Sequence, residues 1–164
     1  MKLAEVNALS VADFESAFGE IAEHSKWVAS KAFASKPFAT CEDLIAAFQA
    51  AVMNADRLAQ LALLNAHPDL ATRAKLTTDS TREQQGVGLD SLSAEEFETF
   101  NKLNHQYKEQ NKFPFIFAVK GATKQQILEG FQRRIHNTKD VEFQTALEQV
   151  CRIIRFRLQD KVQP

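Results

Sequence analysis

Apolar residues recur three and four positions apart along most of this chain, the spacing of one buried helix face rather than of a strand. Phe14, Phe18, Ile21 and Ala22 form a first set, and a short helical segment from Trp27 to Ala34 follows before Pro37. Leu44, Ile45, Phe48 and Val52 form the next, then Leu58, Leu61, Ala62 and Leu64, then Phe97, Phe100, Leu103 and Tyr107, then Ile127, Leu128, Phe131 and Ile135. A long final helix is expected from about Lys139 to Lys161. Cap-type residues followed three positions later by an acid or amide predict helix starts at Ser10 with Asp13, Thr40 with Asp43, Ser80 with Glu83, Ser93 with Glu96 and Thr123 with Gln126.

The interruptions are as informative as the runs. Pro68 disfavours helical backbone at His67, so one helix ends there, and Pro68 itself suits the first turn of the next. A polar loop is expected over residues 77–79, and Gly86 and Gly88 close the short Ser80 helix. Residues 112–119, KFPFIFAV, crowd aromatic and β-branched residues, but Pro114 removes a ladder donor, which predicts an extended, largely buried connection and no sheet strand. The expected fold is all-α, a single compact multi-helix domain over residues 1–164 with an extended FPF loop.

Composition narrows the function classes. The 164 residues carry 20 Lys plus Arg against 21 Asp plus Glu, a net charge of -1, which lacks the basic footprint of a nucleic-acid binder. No apolar run approaches the roughly 18 to 20 residues that span a bilayer, so no membrane partner is expected. Lys2, Glu5 and Asn7 stand where a signal peptide would be apolar, which predicts a protein that is cytoplasmic or delivered whole elsewhere. Cys41 and Cys151 are far apart, form no redox or zinc motif, and read as buried helical thiols. The 13 Phe fall mostly on helical spacing and read first as core.

Candidate chemistry sits at a few positions. On the last helix Phe143, Ala146, Leu147, Val150, Ile153 and Ile154 form one stripe with Arg157 near its centre, while Arg152 and Arg155 fall on the opposite side. A guanidinium on a buried face needs an anion or several acceptors: it either snorkels to solvent or pairs with a carboxylate near the helix end, or it binds a ligand carboxylate or planar amide. His67, at a helix junction, is either a hydrogen-bonding junction residue or a proton carrier. A capping box accounts for Ser80 and Glu83 without chemistry. His24, His67, His105 and His136 show no metal-ligand spacing, and no dinucleotide loop, phosphate loop or nucleophile elbow occurs.

HPDLA at residues 67–71, STREQQGVGLD at 80–90, LNHQY at 103–107, FPFIFAV at 113–119 and the closing RFRL together resemble the OHCU decarboxylases of urate degradation, in an ordered match over residues 67–158. The resemblance implies an all-α domain, usually a homodimer, that converts 2-oxo-4-hydroxy-4-carboxy-5-ureidoimidazoline to (S)-allantoin without a cofactor. By the same resemblance His67 is the catalytic histidine with Pro68 its pocket neighbour. Ser80, Thr81, Arg82, Glu83 and Gln84 fall in the substrate-binding block, with Glu83 assisting catalysis. Phe115, Ile116, Phe117, Ala118 and Val119 supply backbone groups to the ring and ureido group, and Arg157 is the family's arginine on the last helix. Lys112 departs from the pattern, standing before FPF where many relatives have Gly, and the ending Lys161-Val162-Gln163-Pro164 lacks a peroxisomal address, which favours a bacterial cytoplasmic enzyme.

The chemistry implied needs no external electron sink, because the carboxylated carbon adjoins a ring C=N. Loss of carbon dioxide leaves an enol-enamine to be protonated at the ureido-bearing carbon, a step suited to His67 as acid, with Glu83 anchoring N-H groups and Arg157 an oxygen-rich end. Two rivals share these residues: a non-catalytic helical binding module, and a hydrolase of a related ureido compound with His67 as base.

Overall fold

The helical periodicity is realised almost everywhere. The computed structural model describes residues 1–72 and 77–164. Among the described residues there are nine helices: α1 (Leu3–Ala8), α2 (Val11–Phe18), α3 (Lys26–Phe33), α4 (Cys41–Met53), α5 (Arg57–Asn65), α6 (Thr78–Gly86), α7 (Ala94–Asn111), α8 (Lys124–Arg134) and α9 (Lys139–Lys161). Their starts are set by side-chain oxygens: Ser10, Thr40, Ser93 and Thr123 each accept the N-H three residues on. In α4, α7 and α8 the residue at that third position returns a bond to the cap's own N-H, so two donors without an intrahelical partner are satisfied at once.

One expected start is displaced. The cap of α6 is Thr77, whose hydroxyl accepts the Ser80 N-H at 3.2 Å, so the helix begins inside the expected loop and Ser80 lies in its first turn. No helix begins at Pro68: residues 68–72 form an irregular turn, and Ala71 has the left-handed φ of 57° that no helix continues through. Any continuation of that expected helix over residues 73–76 lies outside the described residues. The buried side of α5 also differs, since Gln60, Leu63 and Leu64 face inward while Leu58 is 80% exposed. Gln60 is drawn in because its amide donates to the carbonyls of Val52 and Met53 at the end of α4. Both cysteines are half-buried and outside any disulfide, less enclosed than expected.

The chain packs as two units, residues 1–66 with 150–164 and residues 67–149. The first is built around Phe14, whose ring meets Phe18 at 4.7 Å, Phe33 at 5.4 Å and Phe48 at 6.1 Å. The chain ends close on each other within it: Leu3 N-H donates to Gln163 C=O, and Gln163 N-H to Met1 C=O, both at 2.9 Å. The second unit is built around Phe115, stacked on Phe131 at 3.8 Å and 6°, with Tyr107 set edge-on to both. Residues 114–119 carry neither helix nor turn and are mostly buried, as the FPF pattern requires.

Candidate active site

His67 directly follows the capping residue of α5, Ala66, in a turn that continues through Pro68 to Ala71. Its side chain is buried, 9% exposed, and it is the one buried histidine, His24, His105 and His136 being exposed. Three bonds clamp this turn within its unit. The Ala71 N-H donates to Gln84 Oε1 at 3.1 Å, the Leu70 C=O accepts from Asn104 Nδ2 at 2.9 Å, and Lys108 Nζ lies 3.4 Å from Asp69 Oδ2. The left-handed Ala71 is therefore held by α6, and its neighbours by α7. Among the described residues the buried Asn104 Oδ1 has no hydrogen-bond partner.

Because Thr77 is the cap, a capping role no longer accounts for Ser80 and Glu83. At about 100° per residue, Ser80, Glu83 and Gln84 share one face of α6. Ser80 and Gln84 are buried and Glu83 half-buried. Thr81 is half-buried on the flank, and Arg82 is exposed on the opposite face, so the α6 positions singled out in the sequence divide into three that share a face and two that do not.

The segment 115–119 is fixed from behind. Arg134 Nη1 donates to the Ile116 C=O at 2.7 Å, and Gln149 Oε1 accepts the Ala118 N-H at 2.9 Å. The Arg134 guanidinium also lies over the Phe115 ring, 4.3 Å from its centroid. Glu142, fully buried, holds that guanidinium: Arg134 Nε donates to its Oε1 at 2.9 Å, Tyr107 Oη to the same oxygen at 2.6 Å and Asn137 Nδ2 to Oε2 at 2.9 Å. Burial first, and then the Glu142 carboxylate it bonds, push the Tyr107 phenol well above its ordinary range.

Arg157 belongs to the other unit, and there the expected carboxylate partner is present. Its Nη1 donates to Glu23 Oε2 at 2.9 Å and to the Ile21 C=O at 3.2 Å, with both side chains buried. Among the described residues no three His, Cys, Asp or Glu side chains are grouped to hold a metal ion.

Sequence reasoning passed over Arg134, Glu142 and Gln149. The signal for Arg134 was available, since Ile127, Gly130, Phe131 and Arg134 form one buried stripe on α8, which isolates a guanidinium there as the last helix isolates Arg157. Glu142 precedes Phe143 and lies four residues before Ala146, on the edge of the α9 stripe.

The chain as a whole has close counterparts among known proteins. The sequence profile of the OHCU decarboxylases matches residues 7–159. The 2-oxo-4-hydroxy-4-carboxy-5-ureidoimidazoline decarboxylase of Haloferax volcanii is 44% identical over 98% of this chain and 96% of its own length. The uric acid degradation bifunctional protein PucL of Bacillus subtilis is 41% identical over 95% of this chain, which spans 32% of that longer protein. Among solved structures, an (S)-allantoin synthase superposes with a TM-score of 0.79 at 35% identity, covering 99% of this chain and 54% of the other. The chain belongs to the OHCU decarboxylase family.

Proposed function

We propose that this chain is a carboxy-lyase of urate degradation that decarboxylates 2-oxo-4-hydroxy-4-carboxy-5-ureidoimidazoline to (S)-allantoin. Family membership over nearly the whole chain carries the reaction class. The observation that carries the site is the buried His67 turn, tied through Gln84 to the α6 face that bears Ser80 and Glu83.

In this reading the bond between the carboxylate and its ring carbon breaks, carbon dioxide leaves, and the electron pair moves into the adjacent ring C=N. The resulting enol-enamine takes a proton at the ureido-bearing carbon while its enol hydroxyl gives up its proton to solvent and becomes the ring carbonyl. His67 delivers that proton to one face, which makes the product a single enantiomer. Ser80 and Glu83 hold N-H groups of the substrate, and Pro68 limits the ring's movement. Gln84, with its carbonyl oxygen committed to Ala71, acts on the substrate through the turn it holds. Arg157 binds an oxygen-rich end of the substrate, a role that rests on the family resemblance. Arg157 speeds the step only so far as it binds the departing charge more tightly in the transition state than in the ground state. The exposure of Arg82 lends no support to a direct contact from it.

Residues 1–164 work as one domain in this reading, supported by the family match over residues 7–159. The assembly is a homodimer, on the strength of the family resemblance, and sedimentation at micromolar concentration measures it. A cytoplasmic location accords with the near-neutral charge and with the finding that no described helix is long and apolar enough to cross a membrane.

The deciding experiment generates the unstable substrate from urate with the two preceding enzymes and follows the circular dichroism of the allantoin formed. Rapid appearance of optically active product is expected. Slow racemic product at the uncatalysed rate, from folded protein, would overturn the assignment.

A further inference from the structure

The brace behind residues 115–119 is selective about which backbone groups it takes. Arg134 occupies the Ile116 C=O and Gln149 the Ala118 N-H, two groups that flank Phe117. In an extended chain the peptide groups of alternate residues face opposite edges, so the groups of residues 116 and 118 face the brace and those of Phe117 face away from it. Among the described residues neither the N-H nor the C=O of Phe117 is hydrogen bonded. The Phe117 ring is itself located by α8, since a methyl group on Gly130 would stand 2.8 Å from its Cε2. A donor and an acceptor on one residue, in one plane, match the adjacent N-H and C=O of a ureido group or a ring amide.

We propose that Arg134 and Gln149 are positioning residues: by holding the Ile116 C=O and the Ala118 N-H, they present the Phe117 backbone as a fixed donor-acceptor pair for the ureido or ring amide of the substrate. The inference rests on the decarboxylase reading above and adds to it the residues that set the substrate's orientation. Preorganised backbone dipoles bind without reorganising when the ligand arrives, whereas a loosened segment must first be ordered. Loss of the brace therefore weakens binding and relaxes the choice of protonated face.

Gln149 gives the cleaner test, because changing Arg134 would leave Glu142 buried without its counter-charge. Gln149→Ala removes the acceptor from Ala118, while Gln149→Glu keeps a carboxyl oxygen there. With substrate generated in place, Gln149→Ala should raise KM about tenfold with kcat within about twofold, the size expected for one hydrogen bond, and should lower the enantiomeric purity of the allantoin. Gln149→Glu should recover most of both. Wild-type KM and purity in a folded Gln149→Ala variant would overturn the proposal, as would equal defects in the two variants. A readout independent of turnover is the amide spectrum of 15N-labelled protein titrated with (S)-allantoin. The Phe117 N-H resonance should move in the wild type and move less in Gln149→Ala, and an unmoved Phe117 resonance in the wild type would also refute it. A wild type that forms allantoin no faster than the uncatalysed rate would instead overturn the decarboxylase reading.

Discussion

At the scale of single residues, His67 and Tyr107 carry opposite expectations. His67→Asn should keep the helical spectrum and melting temperature while lowering turnover by about 100-fold or more, the usual contribution of a positioned acid; near-normal turnover would remove His67 from the mechanism. Tyr107 is the chain's one tyrosine, so its ionisation can be followed alone by absorbance. Because its folded-state value is raised, its contribution to stability is full below the ordinary tyrosine pKa of about 10 and is lost as pH rises beyond it. The phenolate band should stay absent through pH 10 and emerge together with unfolding. A band that titrates normally in folded protein would contradict the buried bond to Glu142. His67 and Arg157 were legible at this scale because a proline junction and an apolar stripe set them apart. Ser80 was misread because Ser80 and Glu83 satisfy the capping pattern, whereas Thr77 caps with its hydroxyl alone. A cap needs one oxygen on the third N-H, and the returning carboxyl is additional.

At the scale of elements, the limits of α9 and four of the five cap signals were legible, since propensity and caps act locally. The inward side of α5 was not, because a glutamine buried through bonds to another helix's carbonyls leaves no apolar trace. The departure at Lys112 acquires a physical meaning here. Lys112 caps the C-terminus of α7 with a left-handed φ of 67°, a conformation that costs a residue with a Cβ about 1 kcal/mol or more and costs Gly little. Lys112→Gly should therefore raise stability by about 0.5 to 1 kcal/mol in urea unfolding, and a loss of stability would show that the lysine side chain offsets the strain. Gly130→Ala should act in the other direction, by about 1 to 3 kcal/mol, as the new methyl displaces the Phe117 ring.

For the molecule as a whole, the aromatic clusters were legible as core, but the division into two units was not. No linker, charge run or change of composition marks residue 67 or residue 149, and one unbroken helix, α9, contributes its first half to one unit and its second to the other. Stability of the second unit should depend on the Glu142 carboxylate and Arg134 staying paired, because both charges are buried. Glu142→Leu leaves a guanidinium without its counter-charge and should cost about 3 to 5 kcal/mol, whereas replacing both partners by apolar residues of similar volume should cost less. Equal losses in the single and double variants, measured by urea unfolding, would show that shape rather than charge matters there. The exposed pair of Glu42 with Arg155 differs. The arginine's hydrogen bonds hold the Glu42 carboxyl below its ordinary range, so whatever it contributes persists above that range and fades as pH falls through the lowered value.

The pairing of Leu3 and Met1 with Gln163 places the first and last residues side by side. The order in which the helices follow one another is thus separable from their arrangement, and the start of the chain can be moved. A circular permutant with Met1 and Pro164 joined by a short glycine-serine linker, and opened at the exposed turn after Asn54, should fold and retain turnover.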